Sequence, residues 1–237
     1  ASDVYKRQIF DPLSNITYIG NIDLKPTYID NLDLRFENFG ENNQMFAVSA
    51  FYKNFKDPIE LSYFESAREN FQPRNLGNAT VYGAEIEARK NISDYFSINV
   101  NASIIESKQK YGEAENTLRT LGLRSGETLS GSRELQGQSP YLINASIDYK
   151  DDGTRAGLYF NMQGKTLEVV GNGISPDIYT YPFESLNFTF SKSFGKESKK
   201  SINIKAENLL NSKKESYAES YNACLLYTSD AADESVC

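Results

Sequence analysis

The sequence predicts an all-β fold: part of a transmembrane antiparallel β-barrel, arranged as a curved open sheet of about eight strands. Two patterns indicate this fold, namely a period-two alternation of apolar and polar residues and an alternation of short and long connections. Composition agrees, because 16 Tyr and 14 Phe occur in a chain with a mean hydropathy of only −0.54. Barrel strands are apolar on one face only, whereas a membrane helix needs a run of roughly 20 apolar residues, which the sequence lacks.

The alternation is clearest in residues 97–103, where Ile98, Val100 and Ala102 are separated by Ser and Asn. Successive side chains of a strand point to opposite faces, so such a segment has one apolar and one polar face. Soluble sandwiches also alternate, but the many Asn, Asp, Glu, Arg and Lys residues on the polar face favour a wet barrel interior. The predicted strands are 32–37, 46–52, 82–89, 97–103, 141–149, 156–163, 185–191 and 201–207.

The connections between these strands alternate in length. Outer-membrane barrels have short periplasmic turns and long extracellular loops, and we assign the connections in that way. The predicted turns are 40–44, 93–95, 151–154 and 195–199, and the predicted loops are 56–79, 109–139, 165–182 and 211 onward. Aromatic residues near the strand ends are expected to form interfacial girdles. They are Tyr52, Phe55, Tyr82, Tyr95, Phe96, Tyr141, Tyr149, Phe183 and Phe194.

The two ends of the chain look foreign to the protein. Residues 1–8 and 224–234 resemble translations of one DNA sequence read on opposite strands, and that sequence resembles a transposase adapter used for sequencing libraries. Such segments are excluded from fold reasoning. We therefore predict adapter-derived residues at 1–8 and 224–237, and a partial barrel at 9–223. Both cysteines, Cys224 and Cys237, fall in the excluded part.

Composition narrows the possible functions. The chain has no histidine, and its predicted native part has no cysteine, so His-based acid–base catalysis, thiolate chemistry and His or Cys metal sites are not expected. The net charge of −7 gives no indication of nucleic-acid binding. We accordingly predict no enzymatic activity, no cofactor, no metal site and no nucleic-acid partner.

Four stretches resemble TonB-dependent outer-membrane receptors of the Bacteroidetes type. They are GNIDLKPTYIDNLDLRFENF (20–39), FAVSAFYKNFKDPIEL (46–61), NLGNATVYGAEIEARKNI (75–92) and IKAENLLN (204–211). The third is the most specific, because it fits the pattern N-x-G-x-x-x-x-Y-G-x-E-x-E that is common in that family. The order and spacing of the four stretches are similar to the family's over nearly the whole predicted native segment.

The resemblance implies the C-terminal part of a barrel in the cell outer membrane that imports a scarce nutrient, such as a siderophore, a corrinoid or a glycan. The implied partners are outer-membrane lipid, a plug domain and the TonB complex, with the ligand left open. The sequence departs from the family in showing no plug, no TonB-contacting segment and no final strand ending in an aromatic residue. Family barrels have about 22 strands, so eight would be a minority of the wall.

Two groups of charged residues are candidate site residues. Glu85, Glu87 and Arg89 share the polar face of one predicted strand, where a receptor barrel would contact its plug; a solvated charge row is the alternative. Arg119, Arg124 and Arg133 lie in the longest predicted loop, where they could contact a ligand or be solvated.

Two other functions fit the same alternation. A passive porin-like channel would need no plug and would conduct ions. A soluble glycan-binding β domain would bury its apolar faces against a second sheet.

Overall fold

The computed structural model describes residues 8–12, 15–64, 70–123, 125–173, 175–195 and 200–219. The predicted adapter segments, apart from Gln8, and the candidate residue Arg124 lie outside these ranges. In chain order the elements are β1 (Gln8–Asp11), β2 (Ile16–Ile19), β3 (Tyr28–Phe39), β4 (Met45–Lys56), β5 (Ile59–Tyr63), β6 (Asn70–Asn75), β7 (Ala79–Asn91), β8 (Phe96–Lys110), α1 (Glu113–Leu121), β9 (Ser132–Arg133), β10 (Tyr141–Asp151), β11 (Thr154–Gln163), β12 (Thr166–Val169), β13 (Asp177–Thr180), β14 (Phe183–Phe194), β15 (Lys200–Ala206) and β16 (Ser216–Glu219).

The eight predicted strands form one antiparallel sheet, as the alternation indicated. They are β3, β4, β7, β8, β10, β11, β14 and β15, and they lie side by side in chain order. Within the described residues, β3 and β15 are open edges. The sheet is curved: Gln44 near one edge and Lys205 near the other edge line the same hollow, which has a volume of about 1190 Å³.

The outward face of this sheet is an apolar band. Cross-strand registers place apolar residues opposite one another, for example Phe36 beside Val48 and Ile86 beside Ala102. Many of these side chains are exposed to solvent; the exposed fraction is 75% for Leu34 and 74% for Ile104. Monomeric soluble proteins rarely expose apolar patches of this extent, whereas the outside of a barrel in lipid must do so.

The inner face is polar and hydrogen-bonded across the strands. The Asn144 amide donates to Asn101 Oδ1 at 2.7 Å, and the Tyr159 hydroxyl donates to Asp148 Oδ1 at 2.8 Å. Small residues make room for rings on this face. The Phe51 ring lies over Gly83, where an added Cβ would be 2.8 Å from Phe51 Cζ.

The short turns that the structure describes in full, after β3, β7 and β10, are tight. Asp152 (φ 24°) and Gly153 (φ 71°) alone connect β10 to β11, and two positive-φ residues, Asn42 and Asn43, lie in the turn after β3. Asn, Asp and Gly tolerate this backbone conformation better than other residues, which explains their presence here. At this end Phe96 and Tyr149 form part of the predicted girdle, with ring centroids 5.0 Å apart.

Two of the predicted girdle residues, Phe55 and Phe183, lie on the inner face of the sheet. Strand alternation puts Tyr52 and Tyr82 on the outward face, directly opposite each other. Phe55 and Phe183 have the opposite parity in their strands and lie on the inner face. A position near a strand end is therefore insufficient to place a ring in the interface, since the parity must also match.

The long connections contain structure that the sequence analysis did not predict. We call residues 57–64, 70–78, 111–123, 125–140, 164–173 and 175–182 the loop layer. It contains β5, β6, β9, β12, β13 and helix α1. Strands β5 and β6 join β1 and β2 in one small sheet, and β12 and β13 join β16 in another. Its apolar core consists of Leu167, Val170 and Tyr179.

The loop layer lies against the inner face at the long-loop end of the sheet. It buries Val81 and Gln109 there, and the Leu135 N–H donates to Ser107 Oγ at 3.1 Å. The outward side at the same level remains exposed. No helix among the described residues has the length and apolar character to cross a membrane.

Candidate functional site

The candidate site has two parts: the polar inner face of the sheet and the loop layer above it. Strand β7 carries the predicted row Glu85, Glu87 and Arg89 on the inner face, as its period requires. Arg35 Nη2 donates to Glu87 Oε2 at 3.0 Å, and Ser49 Oγ to Glu85 Oε2 at 3.2 Å.

The row is therefore part of a wider polar ladder. Arg89 Nε donates to Asn99 Oδ1 at 3.0 Å on the neighbouring strand. Glu85 and Arg89 remain exposed towards the hollow side of the sheet. Their cross-strand partners hold the side chains in place while leaving capacity for further hydrogen bonds. Contact with a plug stays a prediction.

A buried ion cluster holds the loop layer together. It consists of two arginines and three carboxylates, each at most 7% exposed: Glu60, Glu115, Arg119, Arg133 and Asp177. Arg133 bonds both Glu60 oxygens at 2.7 Å, and Arg119 bonds both Asp177 oxygens at 2.8 and 3.0 Å. Such two-pronged arginine–carboxylate pairs are among the strongest charge-assisted hydrogen bonds.

Glu115 connects the two pairs. Its Oε1 accepts from Arg119 Nε at 2.9 Å and from Arg133 Nε at 3.0 Å. Because Glu60 lies in the loop after β4 and Asp177 in the loop after β11, the cluster ties three long loops to one another.

Helix α1 positions two members of this cluster. Glu113 and Glu115 lie in its first turn and Arg119 in its last, an arrangement that the helix dipole favours. Glu115 and Arg119 are four residues apart and therefore share one face of the helix. The helix ends against the loop after β12, where a Cβ added at Gly122 would lie 1.8 Å from the Gly173 carbonyl oxygen.

The electrostatics of the cluster favour the charged arginine. Burial opposes the charge on Arg133, but hydrogen bonds to Glu60 and the charges of Glu60 and Glu115 outweigh it, so the pKa of Arg133 is raised. Nearby, burial and then the charges of Asp177 and Glu134 raise the pKa of Tyr179, whose hydroxyl donates to Glu134 Oε2 at 3.0 Å. Tyr179 is thus held neutral.

The structure places the predicted loop arginines inside the loop layer. Arg119 is fully buried and Arg133 is 7% exposed, so neither guanidinium is part of a solvated surface. Ligand contact by this loop stays a prediction. Glu60 and Asp177 were not predicted, because a single acidic residue in a loop gives no sequence signal for a partner more than 50 residues away.

A hollow of about 310 Å³ lies beside the cluster. Its polar lining includes Asn21, Lys25, Arg74, Arg119 and Asn172. Among the described residues no group of three or more Asp, Glu, His or Cys side chains is arranged to hold a metal ion.

An open antiparallel wall with an apolar outside, a polar inside, tight turns at one end and structured loops at the other defines an outer-membrane β-barrel protein. The chain belongs to the outer membrane protein beta-barrel family, whose family model matches residues 9–232. The match begins at Ile9 and runs past Ala223, and the foreign origin of residues 224–237 stays a prediction.

Three solved structures of similar fold are compared with the chain. The copper transporter OprC matches with a TM-score of 0.58 at 15% identity, over 81% of this chain and 27% of that one. The ferric-catecholate import receptor Fiu from E. coli K12 matches with a TM-score of 0.53 at 14% identity, over 80% of this chain and 24% of that one. The FrpB iron transporter from Neisseria meningitidis matches at 0.53 and 13%, over 83% and 30%.

The chain therefore spans about a quarter to three tenths of the length of these proteins. A search of curated proteins found no match.

Proposed function

We propose that this chain forms part of the wall and the extracellular loop layer of a receptor that imports a scarce nutrient across the outer membrane. The observation that carries the proposal is the ion cluster, which ties three loops into one structured layer against the inner face of the sheet. A layer of that kind suits capture of a ligand above a controlled opening better than free diffusion through an open pore.

Similarity to the copper transporter OprC, the ferric-catecholate import receptor Fiu and the FrpB iron transporter supports this proposal at the level of fold. The substrate class stays open among siderophores, corrinoids and glycans. Within the proposal, Glu85, Glu87 and Arg89 contact a plug domain, and the TonB complex supplies energy. The loop that carries Arg119, Arg124 and Arg133 contacts the ligand, with Arg119 and Arg133 positioning it through their ion pairs.

The soluble glycan-binding alternative fits the structure less well. Its apolar faces would need a second sheet, but the outward apolar band has no covering layer among the described residues. The passive-channel alternative has the same apolar band, and it differs from a receptor in that its transport needs no energy.

The test is uptake by cells that express or lack the gene. Labelled ferric siderophore, corrinoid and oligosaccharide are supplied separately, with and without a functional TonB and with a protonophore. We expect gene-dependent uptake of one class that stops when TonB is removed. Uptake that persists without TonB, together with ion conductance of the purified protein in a planar bilayer, would instead identify a passive channel.

A further inference from the structure

The hollow of about 310 Å³ beside the ion cluster has the size of a small-molecule site. It lies at the long-loop end of the sheet, since its lining residues Lys25 and Asp57 come just before β3 and just after β4. Pockets for small molecules range from roughly 300 to 1,000 Å³, so a ligand that fills this hollow is small. Lys25 and Leu118 in the lining are exposed, which makes the hollow accessible from solvent.

An asparagine side chain fixes one half of the polar wall. Asn75 Oδ1 accepts from the Lys25 N–H at 2.8 Å. Asn75 Nδ2 donates to the carbonyl oxygens of Asp57 at 2.7 Å and of Lys25 at 3.1 Å. Arg74 is the neighbour of Asn75 in β6, so three charged residues are held together around one amide.

A second asparagine fixes the other half in the same way. Asn21 Oδ1 accepts from the Asp23 N–H at 3.0 Å, and its Nδ2 donates to the Pro73 carbonyl oxygen at 3.0 Å. Pro73 directly precedes Arg74 in β6. The two amides are used for holding the backbone, and they place a fourth charged residue, Asp23, beside the other three.

The four charges at this wall are available to a ligand. Within the part of the chain that the structure describes, their side chains form no ion pair or hydrogen bond. They are two carboxylates and two cations: Asp23, Asp57, Lys25 and Arg74. The remaining charged members of the lining, Glu115 and Arg119, are bonded to each other in the ion cluster and are buried.

The opposite wall of the hollow is aliphatic. Ala114 and Leu118 are four residues apart, so they share one face of helix α1, and Leu76 completes the wall. Leu118 is 42% exposed, so this face is accessible to a ligand. The described lining contains no aromatic ring on which the face of a sugar could stack.

This combination of charges and apolar surface defines the ligand chemistry. A charge that loses water on ligand binding needs an opposite charge to offset the cost of desolvation. A neutral sugar brings no charge, and a simple anion matches only Lys25 and Arg74. A zwitterion with an aliphatic group matches both cations, both carboxylates and the wall of α1.

We propose that this hollow binds a small zwitterion with an aliphatic side chain, of the amino-acid or short-peptide class. Lys25 and Arg74 bind the carboxylate, Asp23 and Asp57 bind the ammonium group, and the aliphatic side chain packs on α1. This class is additional to the siderophores, corrinoids and glycans considered above. Only the import of such a ligand rests on the proposed function, because binding in the hollow needs neither a plug nor TonB.

The test is isothermal titration calorimetry of the protein purified from outer membranes in a neutral detergent. The probe is the dipeptide L-alanyl-L-leucine. Its N-acetylated form lacks the ammonium group, and its C-terminal amide lacks the carboxylate. We expect saturable binding of the free dipeptide and roughly tenfold weaker binding of each blocked form, because each loses a charge-assisted hydrogen bond.

Two variants assign the charges to their sites. Arg74→Gln should lose most of the preference for the free carboxylate and keep the preference for the free ammonium group. Asp57→Asn should do the reverse, and asparagine suits the backbone there, where φ is 54°. Arg155→Gln is the matched control, since Arg155 is exposed in β11 and does not line this hollow. Misfolding would weaken all three probes alike and is thereby distinguished from loss of one contact.

The proposal is overturned if the free dipeptide shows no saturable binding up to about 10 mM, or if the blocked forms bind as well as the free one. Maltose binding that Arg74→Gln weakens would also overturn it, because the hollow would then be a sugar site. Dipeptide binding without TonB-dependent uptake of the labelled dipeptide would support the site and count against the proposed function. TonB-dependent uptake of another class without dipeptide binding would overturn this inference alone.

Discussion

Replacing Arg133 by glutamine tests whether the buried ion cluster holds the loop layer in place. The guanidinium makes two 2.7 Å bonds to Glu60 and one 3.0 Å bond to Glu115, all in a buried setting. Removing it leaves the buried Glu60 without a positive partner, with the Gln136 N–H at 2.9 Å as a remaining donor, and leaves Glu115 with Arg119 at 2.9 Å. Breaking a buried pair in this way costs about 3–5 kcal/mol.

This cost applies to opening of the loop layer, because the eight-strand sheet does not depend on the cluster. A loss of about 3–5 kcal/mol raises the equilibrium constant for opening by roughly 150-fold to several thousandfold, at about 1.4 kcal/mol per factor of ten. Hydrogen exchange of the protein in detergent, read by mass spectrometry, measures that constant locally. Exchange should accelerate at Leu135 and Val170, whose amides are bonded within the layer or to the wall. Amides paired between β10 and β11 should not change.

Arg155→Gln is the control, since Arg155 is an exposed arginine in β11, outside the loop layer. The variant Glu60→Gln/Arg133→Gln should recover part of the loss, because it removes the uncompensated Glu60 carboxylate along with the arginine. If Arg133→Gln leaves exchange in the layer within about threefold of the unmodified protein, against the 150-fold or more expected from a broken buried pair, the cluster does not hold the loops.

Three further predictions concern the wall and the loop layer. Gly83→Ala should destabilise the sheet by about 1–3 kcal/mol, because the new methyl group would lie 2.5 Å from the Ile104 carbonyl oxygen and 2.8 Å from the Phe51 ring. Urea unfolding in detergent measures the loss of stability, and an unchanged unfolding midpoint would contradict the prediction. Val100→Arg puts a charge in the middle of the outward band and should destabilise the sheet in a bilayer by about 2–4 kcal/mol, whereas Asn101→Arg, on the inner face, should fold normally. Equal yields of the two variants on folding into lipid vesicles would contradict the assignment of the outward face. Burial and the charge of Glu219 raise the pKa of Tyr217 to about 12, so the β13–β16 pairing should be intact below pH 10 and weaken between about pH 10 and 12. Absorbance of the tyrosinate follows the ionisation of Tyr217, and complete ionisation near pH 10 would contradict the prediction.

The wall could be predicted from the sequence because its physics is local. Each of the eight strands places one face in lipid and one in water, so apolar residues such as Ile98, Val100 and Ala102 recur at every second position. The turns were equally readable, since Asp152 and Gly153 adopt backbone conformations that few other residues tolerate.

The loop layer could not be predicted because its structure depends on contacts between distant residues. Helix α1 has only nine residues, and an isolated helix of that length is marginal in water. Its stability comes from Arg119 meeting Asp177, 58 residues later, and from Glu115 meeting Arg133. Nothing in the sequence identifies those pairs, so the same arginines were equally compatible with a ligand surface.

The claim that one face of this sheet meets lipid is tested most directly by spin labels placed one at a time along residues 98–105 of β8, with Cys224 and Cys237 replaced by serine. The protein is reconstituted in vesicles, and collisions with oxygen and with a water-soluble nickel chelate are measured. Labels at Ile98, Val100, Ala102 and Ile104 should collide mainly with oxygen, and labels at the odd positions between them mainly with the chelate. Accessibility that shows no period of two, or the opposite phase, would contradict the assignment of the outward face to the membrane.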